Sequence, residues 1–112
     1  MTFLLVEMDT LRNIENVVGS GLADSVIGDA QDNNLDGGAG DDTLAGGAGN
    51  DVIDGNDGID TVSYENDTAG IQVNLDAQVA IDGFGGNDNL LNIENVVGSD
   101  FNDVIIGGNG DN

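Results

Sequence analysis

A nine-residue period constrains this chain more than any other feature. GGAGDDTLA at Gly37–Ala45 runs directly into GGAGNDVID at Gly46–Asp54. Each copy carries glycine at positions 1, 2 and 4, aspartate at position 6 and an aliphatic residue at position 8. The frame continues upstream through GSGLADSVI (Gly19–Ile27) and GDAQDNNLD (Gly28–Asp36), and downstream through GNDGIDTVS (Gly55–Ser63). Position 8 then reads Val26, Leu35, Leu44, Ile53 and Val62, and steps of nine reach Val17 and Ile71. Nine fits neither the 3.6 period of a helix nor the 2.0 period of one long strand, so each copy is a turn plus a short strand. A single copy cannot bury its apolar residue, whereas stacked copies can.

The residue types within the period suggest an ion. Tight backbone bends that aim carbonyls at one point need dihedrals open chiefly to glycine. Aspartate at position 6 adds a hard anionic oxygen at the turn exit. Carboxylate and main-chain oxygens suit Ca²⁺, which accepts irregular shells of six to eight ligands, whereas Mg²⁺ demands a tighter octahedron and keeps its waters. Calcium is the expected ion.

The pattern resembles the glycine- and aspartate-rich nonapeptide of RTX (repeats-in-toxin) proteins. That resemblance implies an all-β fold, a right-handed parallel β-roll in which six residues form a calcium-binding turn, three form a strand, and two nonamers complete one coil. It covers Gly19–Ser63 and resumes at GSDFNDVII (Gly98–Ile106), after which GGNGDN (Gly107–Asn112) opens another copy. The metal-ligand candidates are Gly19, Gly21 and Asp24; Asn33; Gly37, Gly38, Ala39, Gly40 and Asp42; Gly46, Gly47, Ala48, Gly49 and Asp51; Gly55, Asp57 and Asp60; and Asp103. With two nonamers per coil, every second turn stacks. One edge then holds Gly19–Asp24, Gly37–Asp42 and Gly55–Asp60, and the other Gly28–Asn33, Gly46–Asp51 and Tyr64–Ala69. Because Asn33 is neutral and Ala69 offers no ligand, the tightest site is expected between the turns ending in Asp42 and Asp60.

A longer repeat accompanies the short one. LRNIENVVGS (Leu11–Ser20) returns as LLNIENVVGS (Leu90–Ser99), offset by 79 residues. Since 79 is two short of a multiple of nine, the register must slip between Ser63 and Asn89. IQVNL (Ile71–Leu75) alternates as a half-buried strand does. The organisation read from these repeats is a single roll over 1–112: an opening coil with a NIEN block (1–18), five tandem nonamers (19–63), a degenerate β-coil spacer (64–88), and a second NIEN block with the start of another run (89–112). Glu15 and Glu94 fall on position 6 of the extended frame, but the preferred reading is that Ile14, Val17, Ile93 and Val96 point inward while the asparagines bond to turns. Asp29, Asp36, Asp41, Asp54, Asp57, Asp76 and Asp82 read as solvated turn residues, Asp57 lying inside a metal turn.

Composition narrows the function. Three Phe, one Tyr and no Trp are too few to centre an ordinary globular core. Without histidine or cysteine there are no imidazole bases, thiol nucleophiles or usual zinc sets, and periodic carboxylates are not the two individually tuned acids of a glycosidase cleft. DNNLDG (Asp32–Gly37) starts like an EF-hand loop but places Thr43 where a bidentate Glu is needed. No enzyme activity is expected. Twenty-two acidic residues against Arg12 alone give a net charge of −21, which excludes ordinary nucleic-acid binding and opposes compaction without cations.

If calcium binds only the folded chain, each site adds about 2.7 kcal/mol at a hundredfold excess over Kd, so several sites rival a whole domain's stability of roughly 5–15 kcal/mol. Folding and binding become one event. The resemblance further implies type I export of an unfolded chain, folding outside the cell or at its surface, and a larger RTX polypeptide around this segment. MTFLLV has neither the basic n-region of a secretory signal nor the length of a membrane span. Open coil edges make end-to-end self-association a liability. The alternative reading is a calcium-dependent carbohydrate- or surface-binding module of an adhesin or polysaccharide-modifying enzyme; a polyanion-binding face would need more basic residues than Arg12.

Overall fold

A computed structural model describes residues 2–4, 10–12 and 16–107 of the chain, with side chains from Asn16 to Gly107. Eight short strands come first: β1 (Thr2–Leu4), β2 (Thr10–Arg12), β3 (Asn16–Val18), β4 (Ser25–Ile27), β5 (Asn34–Asp36), β6 (Thr43–Ala45), β7 (Val52–Asp54) and β8 (Thr61–Ser63). Odd-numbered strands enter one sheet and even-numbered strands the other, every pairing parallel. Register advances by two nonamers: Val17 faces Leu35, which faces Ile53, and Val26 faces Leu44, which faces Val62. The fold is the parallel β-roll that the resemblance implies.

Three-residue strands form here because those inside each sheet are held from above and below. The middle residue points inward, and Leu35, Leu44, Ile53 and Val62 are all 0 % exposed. Burying such a side chain is worth about 1.5–3 kcal/mol, and the stack repeats the gain at every coil. The amide of position 1 bonds across coils to the carbonyl of position 9, as in Gly19 N to Asp36 O (2.6 Å) and Gly37 N to Asp54 O (2.8 Å). These backbone bonds tie each coil to the one beside it.

Beyond Ser63 the regular winding stops. β9 (Gln72–Asn74), β10 (Val79–Ile81) and β11 (Asn87–Leu91) form an antiparallel meander, and β11 returns to lie parallel beside β7. β12 (Asn95–Val97) then joins β8 in the second sheet, and β13 (Val104–Ile106) joins β9 at the far edge of the first. The spacer expected as continued coil is thus a hairpin inserted into one sheet. Its cause is visible in spacing: Val62 to Val73 is eleven residues, so the centre of β9 arrives two residues out of phase. IQVNL does form the expected strand, with Ile71 and Val73 buried. Tyr64 fills the core beside the insertion and is likewise buried. Among the described residues no helix is long and apolar enough to cross a membrane.

Candidate metal sites at the stacked turns

The glycines have two distinct jobs. Positions 2 and 4 adopt left-handed backbone: Gly38 has φ 77°, Gly40 95°, Gly47 85° and Gly49 93°. In the Gly55 copy position 2 is Asn56 (φ 61°), a residue that tolerates this region. Position 1 is a matter of space. A Cβ on Gly37 would lie 2.5 Å from Asp42 Oδ2, because the position 6 carboxylate folds back over its own turn.

These carboxylates form ladders along both edges. One oxygen of each accepts the position 6 amide of the preceding coil: Asp24 N donates to Asp42 Oδ1, Asp42 N to Asp60 Oδ1 and Asp60 N to Glu94 Oε1, each at 2.8 Å. On the other edge Asn33 N donates to Asp51 Oδ1 (2.8 Å) and Asp51 N to Asp88 Oδ1 (3.0 Å). The second oxygen is left over. Asp42, Asp51 and Asp60 Oδ2 are buried without a hydrogen-bond partner among the described residues. Burial pushes Asp42 up to about 7 and Asp60 up to about 6, with neighbouring carboxylates adding to the rise and the backbone amides opposing it. Asp51 and Asp88 are also displaced upward, burial again the main cause.

A buried anionic oxygen lacking a donor is costly, and with Arg12 the sole basic residue of the chain no side chain can neutralise the set. A divalent cation can. Hard oxygens in an irregular, glycine-lined cradle fit Ca²⁺. Of the described turns on the first edge, those ending in Asp42 and Asp60 each carry such an oxygen.

The remaining candidates are placed differently. Asp24 accepts from Ser20 N (2.8 Å) and Ser20 Oγ (2.9 Å), and Asp103 accepts from Ser99 N (2.9 Å) and Ser99 Oγ (2.6 Å). Serine at position 2 therefore adds a hydroxyl donor that glycine lacks, and the Ser99 bond holds Asp103 below the usual carboxylate range. Asn33 exchanges bonds with Asp29, accepting Asp29 N and donating Nδ2 to Asp29 Oδ1. A Cβ on Gly21 would meet nothing within 4 Å. Ala39 and Asp57 are exposed, whereas Gly19, Gly46 and Gly55 are buried beneath their turns and Gly47, Ala48 and Gly49 are half-buried.

Several residues escaped the nine-residue frame. Asp51 stacks on Asp88, not on the Tyr64–Ala69 turn, because β11 rather than β9 pairs with β7. The signal was present: GFGGNDNLL (Gly83–Leu91) repeats the nonamer's spacing, shifted by one residue from the frame of Gly55. Asp82, read as solvated, is 2 % exposed. Glu94 takes the ladder position of an aspartate, and Asn92 Nδ2 donates to Asp54 Oδ1 (2.9 Å), the turn bonding expected of the NIEN amides. Ile93 is buried as expected and Val96 packs on the core. Glu15, Ile14 and the closing GNGDN lie outside the described residues.

The family model of the RTX calcium-binding nonapeptide repeat, four copies long, matches residues 18–53, 27–62 and 92–112, together more than half of the chain. Comparison with curated proteins and with solved structures finds no match. The repeat carried by the sequence, its β-roll and its cradled carboxylates converge: this chain belongs to the RTX calcium-binding nonapeptide repeat family.

Proposed function

We propose that this chain is a structural module whose folding is coupled to calcium uptake, working as part of a secreted RTX protein exported through a type I channel. The observation that carries this reading is the set of buried, unpartnered carboxylate oxygens on Asp42, Asp51 and Asp60, in a chain of net charge −21. Without cations the stacked turns repel one another and the aliphatic strand centres alone must hold them together. With cations, attraction and ligand geometry arrive together and folding follows. Extracellular calcium modules have Kd near ~10⁻⁴–10⁻³ M, a range that leaves such a chain open in calcium-poor cytosol and closed outside the cell.

The strongest of the turn sites lies between the turns ending in Asp42 and Asp60. Isothermal titration with Asp42→Ala tests this: the variant loses at least one bound calcium and needs more calcium to fold. Wild-type stoichiometry and midpoint in that variant would refute the assignment.

A further inference from the structure

The antiparallel hairpin brings a third carboxylate to an edge where two turns stack. Asp51 closes the turn at 46–51, Asp88 lies beside it in β11, and Asp82 begins the loop 82–86 that joins β10 to β11. One carboxylate oxygen from each lies within 4.8 Å of those of the other two, and all three residues are buried. Their Oδ1 atoms are accounted for. Asp51 Oδ1 accepts Asn33 N (2.8 Å), Asp88 Oδ1 accepts Asp51 N (3.0 Å), and Asp82 Oδ1 accepts Phe84 N (2.9 Å) and Gly86 N (2.8 Å).

The Oδ2 atoms are not. Those of Asp51 and Asp82 have no partner among the described residues, although the residues are only 1 % and 2 % exposed. Asp88 Oδ2 accepts the Tyr64 hydroxyl at 2.9 Å, which leaves the oxygen a second lone pair. A Cβ on Gly86 would meet Gly49 O and would lie 2.7 Å from Asp82 Oδ2, so glycine here keeps open a space beside hard oxygens.

The hairpin explains why Asp82 differs from its counterparts. Asp36 and Asp54 also precede a turn and cap it, accepting Gly38 N and Asn56 N at 2.9 Å, but both remain partly exposed. Asp82 makes the same cap with Phe84 N, yet it follows a strand that runs antiparallel to β11, and its carboxylate is buried beside the roll.

We propose that Asp51, Asp82 and Asp88 form a three-carboxylate calcium site that fastens the inserted hairpin to the roll, separate in composition from the two-carboxylate turn sites. It rests on the calcium reading above and extends it to Asp82, a carboxylate that precedes its turn and lies outside the position 6 ladder. Three buried carboxylates with no cationic side chain repel one another and drive the hairpin off β7; a divalent ion reverses this. Greater ligand charge makes it one of the tighter sites of the chain.

The protein carries its own reporter. Tyr64 is the only tyrosine, there is no tryptophan, and its hydroxyl touches a proposed ligand. Terbium(III) enters hard-oxygen calcium sites and emits when an adjacent aromatic ring is excited. In the full chain, terbium emission sensitised through tyrosine should titrate at low terbium and be displaced by calcium. Asp82→Asn should raise its midpoint about tenfold or abolish it, since one ligand charge in three is lost, while calcium still induces the far-UV circular dichroism of the roll. Asp76→Asn, an exposed residue of the turn between β9 and β10 that belongs to no proposed site, should keep both midpoint and intensity.

A folded Asp82→Asn chain with wild-type terbium midpoint and intensity would overturn the proposal. Asp82→Ser, which keeps a short acceptor for the Phe84 amide, provides a second arm judged by the same criterion. Failure of both variants to fold at any calcium concentration also counts against it, because the roll of β2–β8 should not need this site. If the wild-type chain shows no response to calcium in circular dichroism, the underlying calcium reading fails instead.

Discussion

Replacing Leu44 by alanine tests coupled folding without touching an ion ligand. Leu44 is the centre of β6, 0 % exposed and held between Val26 and Val62. Truncating such a residue costs about 2–5 kcal/mol, and about 3 kcal/mol is a fair value for a thin core that can partly close. The described turns leave three inter-turn gaps on the Asp24–Glu94 edge and two on the Asn33–Asp88 edge. If about three to five ions bind on folding, each tenfold rise in calcium supplies about 1.4 kcal/mol per ion. The folding midpoint of Leu44→Ala should then rise about three- to fivefold in calcium concentration. Far-UV circular dichroism against free calcium reads this directly, with thermal unfolding at saturating calcium as the measure of stability lost. A variant that lost the expected stability on heating yet kept the wild-type calcium midpoint would refute coupling, because a preformed roll binds its ions without regard to the core.

Three further outcomes are expected. Asp42→Asn keeps an oxygen for the Asp24 amide but removes a buried charge, so it should stabilise the calcium-free chain in urea while raising the calcium midpoint; equal shifts in one direction would contradict this. Gly37→Ala, whose Cβ would lie 2.5 Å from Asp42 Oδ2, should raise the calcium midpoint severalfold, whereas Gly21→Ala, whose Cβ meets open space, should leave it within about twofold, as circular dichroism titrations of both would show. For pH the sign follows from the upward displacement of Asp42 to about 7 and Asp60 to about 6. Their contribution to stability is fully present below the ordinary carboxylate range and is lost as pH rises through 6 to 7, so the metal-free chain should gain β structure on acidification from pH 8 toward pH 4. Protons and calcium compete for the same oxygens, and the calcium midpoint should rise over the same interval. A metal-free chain that lost β signal on mild acidification would be the contrary result.

The roll was legible because its period is written residue by residue. Position 8 named the strand centres from Val17 to Val62, and the two-nonamer coil placed Asp42 against Asp60 as the register shows. The hairpin was not legible, since a slip in register marks where winding changes but not which strand the chain returns to. The pairing of β11 with β7 depends on contacts 37 residues apart, which no local pattern specifies. For the same reason the second NVVGS block falls in the opposite sheet from the first: β3 lies with the odd strands, while β12 joins β8. Asp82 shows the limit at the scale of one residue. Its local sequence is that of an exposed turn cap, and only the antiparallel partner strand buries it.

The most direct test of the account is a calcium titration of the full chain followed by far-UV circular dichroism, with magnesium as control. Ion-coupled folding predicts an unfolded or weakly folded spectrum in chelator, a cooperative gain of β signal as calcium rises, and no comparable gain with magnesium. A chain equally folded in chelator and in calcium would contradict it.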